Sequence, residues 1–418
     1  MEFNFYVNPQ QGYLLGKVII HLSDKLGQQF YLNWEFEVEQ ILCDGIEKEY
    51  EVRSVLLEEL DGYKVNCYSL PIFENTIEIT YKGALSGKSG CCSYARETIN
   101  SDFTLLRVET FCYPIFIEAK EDSLRSYFQR FEEFVVKIEI PKDYIAVSSG
   151  KTLSLEQAVH NCWEEKMNSY NFAIAIARYV EKRLSLGKFY FLQENEKIRL
   201  IEKTLGDTHQ FMNTRFGKRE IQSAIKYVTI PKHMGSFVLG EAVFIEESHY
   251  SQVKELEPLI HEFIHLGWNA RTDIETQKIR FFDEAFTSYF QLRVMEELLT
   301  QDEYKKVVKE YQESYKRCKQ YLIKDVPIIH YGEYGYSDLS YTVGAFCLEQ
   351  LCHQLGRERF DEVTTIFLEK YQQIPVDMET FCKEYITLSQ KSELKEFFND
   401  WIYTTKGLHQ LKFDEDKI

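Results

Sequence analysis

The chain reads as a multidomain α+β protein, and three observations predict this. The hydrophobic period changes near residue 150, from strand-like alternation to helical spacing. The length, 418 residues, is enough for two or three domains, each with its own core. The one strong chemical motif, His261-Glu262-Phe263-Ile264-His265, falls in the helical half. The predicted division is an all-β, sandwich-like domain over residues 1–150 and a mainly helical domain over residues 151–418.

The strands come first. Lys17–Leu22, Phe30–Val38, Thr76–Tyr81 and Phe134–Ile140 alternate apolar and polar residues between turn signals, as half-buried strands do. Glu35, Glu37 and Glu39 fall on the solvated face of the second run. Beyond about residue 152 the pattern lengthens. Residues 190–216 read as helix, Ile221–Ile230 and Ala242–Glu247 as strands, and almost everything from Val253 onward as helix. No repeat, low-complexity tract or Pro/Gly-rich linker separates the parts.

Composition narrows the function. Lys plus Arg number 49 against 66 for Asp plus Glu, a formal net charge of −17. Such acidity disfavours nucleic acid and anionic membranes as partners. The N-terminus, Met1-Glu2-Phe3-Asn4-Phe5-Tyr6, has no basic or apolar leader, and no run approaches the length of a membrane span. The ten cysteines lack paired C-x-x-C spacing. Cys347, Cys352 and Cys382 fit helical core positions, and Cys91-Cys92 reads as a reduced loop pair with a redox role as the alternative. A cytoplasmic enzyme is the expectation.

The motif predicts a metal centre. Residues i and i+4 of a helix lie about 40° apart around its axis, one turn along it. His261 and His265 therefore project from one face, able to grip one ion. Glu262 leaves the same turn placed to reach a water without being a ligand. A catalytic zinc needs three protein ligands and an open position, and two His with one carboxylate is a known set. Glu284 is the expected third ligand. It lies in a second apolar helix, Arg280–Phe290, where a buried carboxylate needs a compensating charge. The flanking Leu259, Ile260, Phe263, Ile264 and Leu266 argue against a pair of ordinary surface histidines. His233, His249, His330 and His353 have no ligand spacing and read as surface or core residues.

On these residues the chain resembles the aminopeptidase N family of gluzincin zinc metallopeptidases. The His261–His265…Glu284 spacing is the family's, and Asp283-Glu284-Ala285-Phe286-Thr287-Ser288-Tyr289 is similar to its N-E-G-F-A-S-Y run. Ser340-Tyr341-Thr342-Val343-Gly344-Ala345 resembles Y-E-K-G-A. Pro141–Gly150 resembles the hinge from the family's β-domain into a thermolysin-like catalytic domain. Phe397–Trp401 through Gly407 resembles the end of that domain, implying a short form without the C-terminal helical domain. The resemblance implies one zinc ion per chain, held by His261, His265 and Glu284, with Glu262 as general base and Tyr341 as a donor to the oxyanion. Tyr336 would line the pocket, and Asp283 would either orient an imidazole or cap its helix.

Three departures bear on specificity. Gly235-Ser236-Phe237-Val238-Leu239 stands where the family has G-A-M-E-N, so Val238 replaces the glutamate that binds a substrate's free amine. Val343 replaces the Lys of Y-E-K-G, and Gly267-Trp268-Asn269 puts the W-x-G-N run out of register. Glu109, before Tyr113-Pro114, is similar to the family's β-domain glutamate, and Glu241 is a second substitute if Gly240 permits a bend. The expected function is zinc-dependent peptide hydrolysis by an aminopeptidase or oligopeptidase. The alternatives are an endopeptidase or dedicated maturation protease without a free N-terminus requirement, and a non-catalytic binding platform.

Overall fold

The computed structural model describes residues 1–21, 29–57, 63–70, 75–87, 98–116, 133–152, 162–168, 172–194, 197–221, 224–247, 252–321, 324–333 and 336–410. Cys91-Cys92 and His249 lie outside the described residues. The fold is α+β, with β-sheets in the N-terminal part and a helical C-terminal part. The chain forms two compact units, Met1–Asn195 with Ser223–Ser248, and Glu196–Gln222 with His249–Ile418. Among the described residues no helix is long and apolar enough to cross a membrane.

In the first unit, an eight-stranded sheet runs in the order Lys151–Thr152, Cys162–Asn168, Glu133–Glu139, Glu2–Asn8, Tyr13–His21, Thr76–Gly83, Phe36–Cys43, Ile46–Glu47. A four-stranded sheet runs Ile115–Phe116, Gln29–Asn33, Tyr63–Ser69, Glu51–Leu57. Alternate residues of both, such as Phe3, Val18, Ile79, Phe30, Leu32 and Val65, share one core, so the two sheets form a sandwich. The run 30–38 is two strands rather than the one expected. Asn33 turns the chain: its Oδ1 accepts from the Glu35 amide at 2.9 Å, while its Nδ2 donates to Thr110 O and Tyr63 Oη, each at 2.9 Å. Glu37 and Glu39 lie on the exposed face, as the alternation predicts.

Strand structure continues past residue 152 where longer spacing suggested helix. A three-stranded sheet, Ile145–Ser148, Ala173–Ala177, Thr104–Arg107, faces a five-stranded one, Val180–Leu184, Gly187–Phe191, Lys226–Ile230, Ala242–Glu246, Phe237–Leu239. Ala173–Ala177 is buried on both sides, giving Ile174 and Ile176 to the sandwich core and its three alanines to the second. Full burial erases the alternation that marks a strand in sequence. The helix expected over 190–216 begins only at Ile198, and the strand expected from Ile221 only at Lys226.

The second unit is helical: α1 (Ile198–Phe216), α2 (Glu257–His265), α3 (Ile274–Lys278), α4 (Phe286–Leu298), α5 (Gln301–Tyr321), α6 (Ala345–Leu355), α7 (Arg357–Tyr371), α8 (Met378–Ser389) and α9 (Leu394–Phe398). Asp273 and Asp377 cap α3 and α8, accepting from the Thr276 and Thr380 amides at 2.7 Å each. Phe282, Phe286, Phe367, Phe381 and Tyr385 pack edge-on and stacked between α4, α7 and α8. Arg293 of α4 makes a bidentate pair with Asp361 of α7 at 3.0 and 3.2 Å, both buried. Cys347, Cys352 and Cys382 are buried and free.

Candidate active site

Helix α2 carries the motif. Leu259, Ile260, Phe263 and Ile264 bury its apolar face, which leaves His261 and His265 together on another. Their Nε2 atoms lie 3.2 Å apart, and Glu284 Oε2 lies 3.0 Å from the first and 3.4 Å from the second. One donor atom from each of the three residues falls within 4.8 Å of the others.

Glu284 arrives on a π-helical turn, Phe281–Ala285, directly before α4. The turn opens at Arg280, whose backbone is left-handed (φ 56°), a conformation uncommon for a non-glycine residue. A second π-helical turn, Ser340–Gly344, precedes α6 and carries Tyr341. Insertions of this kind recur at functional sites because they re-aim side chains within a rigid helix. The two turns touch at Ala285 and Gly344. Tyr341 then lies parallel to the His261 ring, centroids 5.9 Å apart at 22°.

The imidazoles are oriented from behind. His261 Nδ1 lies 2.7 Å from Gln291 Oε1, and His265 Nδ1 lies 3.0 Å from Asn269 Oδ1. Both partners are acceptors, so each Nδ1 carries a proton, and each Nε2 faces inward, where it would offer its lone pair to a bound metal. Two Nε2 atoms and a carboxylate crowded this closely need positive charge among them, which protons on Nε2 or a metal ion can supply. This donor set fits zinc, and a water or substrate could take the fourth position. Gln291 and Asn269 were not found from sequence. Gln291 lies in α4, seven residues after Glu284, a spacing that could have flagged it, whereas Asn269 lies beyond the end of α2 and has no helical spacing to His265.

Charge in the site follows from burial. Burial pushes the Glu262 carboxyl up, Glu284 adds to this, and the two imidazoles and Arg280 oppose it. Burial also works against the charge on Glu284, but hydrogen bonds from His261 and His265 outweigh it and hold the carboxyl well below its usual range. His265 is raised to about 9, the bond and charge of Glu284 overcoming the desolvation of the imidazolium. Burial first, then the Glu284 charge, raises Tyr341, so its phenol stays a neutral O–H donor. Arg280 bonds the second oxygen of Glu284 and, through Nε, Asp283 Oδ2 at 2.7 Å. Asp283 also accepts from the Glu284 amide at 2.8 Å, so its contacts are with Arg280 and its own turn rather than with an imidazole.

The remaining expected site residues are placed as follows. Tyr336 is half-buried in the turn before Tyr341. In the first unit, Phe237–Leu239 is the edge strand of the five-stranded sheet, with Val238 opposite Val243. Gly235 donates its amide to Glu246, and Ser236 Oγ accepts from the Glu246 amide at 3.1 Å. Glu109 is held by Arg107 through two bonds of 2.8 and 3.2 Å, and the Arg107 guanidinium lies 4.3 Å above the Phe237 ring. Gly240 (φ 55°) and Glu241 form the turn of that hairpin, where a Cβ on Gly240 would run into Ser149 O.

The fold is similar to that of solved hydrolase and metallopeptidase structures. Native LTA4 hydrolase from yeast matches with a TM-score of 0.64 at 14% identity, over 97% of this chain and 67% of that chain. The M1 zinc metallopeptidase from Deinococcus radiodurans matches with 0.59 at 14% identity, over 96% of this chain and 92% of that one. A mutant of the latter bound to a Tyr-Ser-Ala substrate matches with 0.60 at 11% identity, over the same shares. The sequence matches no family model and no curated protein. Identity this low carries the fold and not the activity.

Proposed function

We propose that this chain is a zinc peptidase of the aminopeptidase N type, a member of the M1 gluzincins, with residues 1–150 as its β-domain and 151–418 as its catalytic domain. One observation carries the reading. His261, His265 and Glu284 turn three donor atoms toward one point, and both histidine Nδ1 atoms are tied back. These residues would hold one zinc ion, which supplies Lewis-acid activation of a water and of the scissile carbonyl. Glu262, its basicity raised by burial, takes the attacking water's proton and passes it to the leaving amine. Tyr341, a neutral phenol beside His261, donates to the developing oxyanion. Intact ligands and a buried base weigh against a mere binding platform. A cytoplasmic location fits the unpaired cysteine spacing.

The substrate is a peptide. Among the described residues Phe237–Leu239 is an edge strand, a place where an extended peptide can add as a further strand. The leading reading is an aminopeptidase or oligopeptidase that uses Glu109 in place of the glutamate lost at Val238. A specific observation favours the second reading, an endopeptidase or maturation protease: Arg107 already compensates the Glu109 charge. Metal analysis of the purified protein, followed by digestion of a mixed peptide library read by mass spectrometry, tests the proposal. About one zinc per chain and chelator-sensitive cleavage are expected; a protein that binds no added zinc overturns it.

A further inference from the structure

Two amide side chains stand behind the two histidines, and they are held differently. Asn269 Nδ2 donates to Phe282 O at 3.0 Å, Asp283 O at 3.1 Å and Thr287 Oγ1 at 3.0 Å. Three acceptors leave that amide one orientation, with Oδ1 toward His265. Gln291 is also buried, but its Nε2 has one acceptor among the described residues, Glu257 Oε1 at 2.7 Å. An amide can turn by 180° with little change of shape, so its partner decides which end faces which neighbour.

We propose that Glu257 is a positioning residue for His261, acting through the side-chain amide of Gln291. As a carboxylate, Glu257 offers only an acceptor toward Gln291, so the amide must give it Nε2 and present Oε1 to the imidazole. Oε1 in turn demands a proton on Nδ1, which leaves the Nε2 lone pair for a metal. Without Glu257 the amide can reverse, place its N–H₂ against Nδ1 and favour the tautomer whose Nε2 is blocked by hydrogen. Burial, with Glu310 adding to it, raises Glu257 to about 7, while the 2.7 Å contact with Gln291 Nε2 favours the carboxylate, the form that can only accept. The place suits a carboxylate, since Glu257 is the first residue of α2, where the helix dipole favours negative charge. Sequence spacing adds a constraint of its own: Glu257 and His261 are one turn apart on one helix, and Gln291 bridges them from another.

The inference rests on the zinc reading, and the test separates the two. The full chain and its variants are titrated with zinc against a chromogenic chelator, and the zinc-free proteins are melted to check folding. Glu257→Ala should lose roughly ten- to hundredfold in zinc affinity, the range usual for groups that orient a ligating histidine, with its fold intact. Glu257→Gln keeps an accepting oxygen but adds an N–H₂ that can donate, so it should fall between the unaltered chain and Glu257→Ala. Gln291→Glu alone sets two carboxyl groups together and should weaken binding, and adding Glu257→Gln to it should restore binding by putting a carboxylate on His261 with an amide behind. That exchange keeps the proposal testable if Glu257→Ala fails to fold. Equal affinity in Glu257→Ala and the unaltered chain, or no restoration in the exchanged pair, overturns the relay while leaving the zinc reading standing. No zinc binding in the unaltered chain overturns the zinc reading instead.

Discussion

Gly344 and Ala285 meet where no side chain fits: a Cβ on Gly344 would lie 2.5 Å from that of Ala285. These residues close the two π-helical turns that carry Tyr341 and Glu284. Gly344→Ala must therefore push the turns apart. Overpacking of this kind costs roughly 1–3 kcal/mol. The expected result is a lower melting temperature together with a fall in kcat at unchanged zinc content. A variant of full stability and activity would show that the close approach does not set the site.

Glu262 and Glu284 differ in role, and amide substitution separates them. Glu262→Gln should keep zinc and fold while losing nearly all turnover, because an amide cannot accept the water's proton. Glu284→Gln removes a charged ligand and should weaken zinc binding. Metal content measured beside kcat decides the matter, and equal zinc loss in both would mean the roles are wrongly assigned.

Tyr341→Phe removes a hydroxyl and little else. Loss of one oxyanion donor costs about 2.7–4 kcal/mol, or about 10²–10³ in kcat. Zinc content should be kept, since His261, His265 and Glu284 are all retained. Full activity in the variant takes Tyr341 out of the chemistry.

In the proposed aminopeptidase reading, specificity turns on Glu109. An aminopeptidase measures its cut from the substrate's ammonium group, which needs a carboxylate partner in the site. With Val238 unable to pair and Glu109 shared with Arg107, weak turnover of amino-acid anilides and better turnover of longer peptides are expected. Acetylating the N-terminus of a good substrate is the measurement. A large fall in kcat/KM, mimicked by Glu109→Ala, supports the N-terminal requirement. Equal cleavage of blocked and free peptides makes the enzyme an endopeptidase.

Much of this was legible in the residues. Period-two runs located strands such as Tyr13–His21 and Thr76–Gly83 because one face of each is buried and the other wet. The H-E-x-x-H spacing and an acidic residue nineteen further on named three donors that the fold gathers at one point. What escaped had no periodic signature. Asn33 breaks a strand with side-chain hydrogen bonds, which hydropathy does not register. The π-helical turns depend on packing against each other, a tertiary cause. Gln291, in a helix, and Asn269, past the end of one, read as ordinary polar residues until the histidines they face are known.

The strand Ala173–Ala177 has a consequence for how the first unit melts. Its isoleucines line one core and its alanines the other, so it is a common wall. Neither core can lose this strand without opening its neighbour. Two apolar clusters that might have behaved as separate cooperative blocks are thereby coupled, and local opening at the sandwich carries over to the sheet that ends in Phe237–Leu239. A substitution such as Ile174→Ala, in the sandwich, would then loosen hydrogen-exchange protection in Val228 and Phe244 on the far side of the wall.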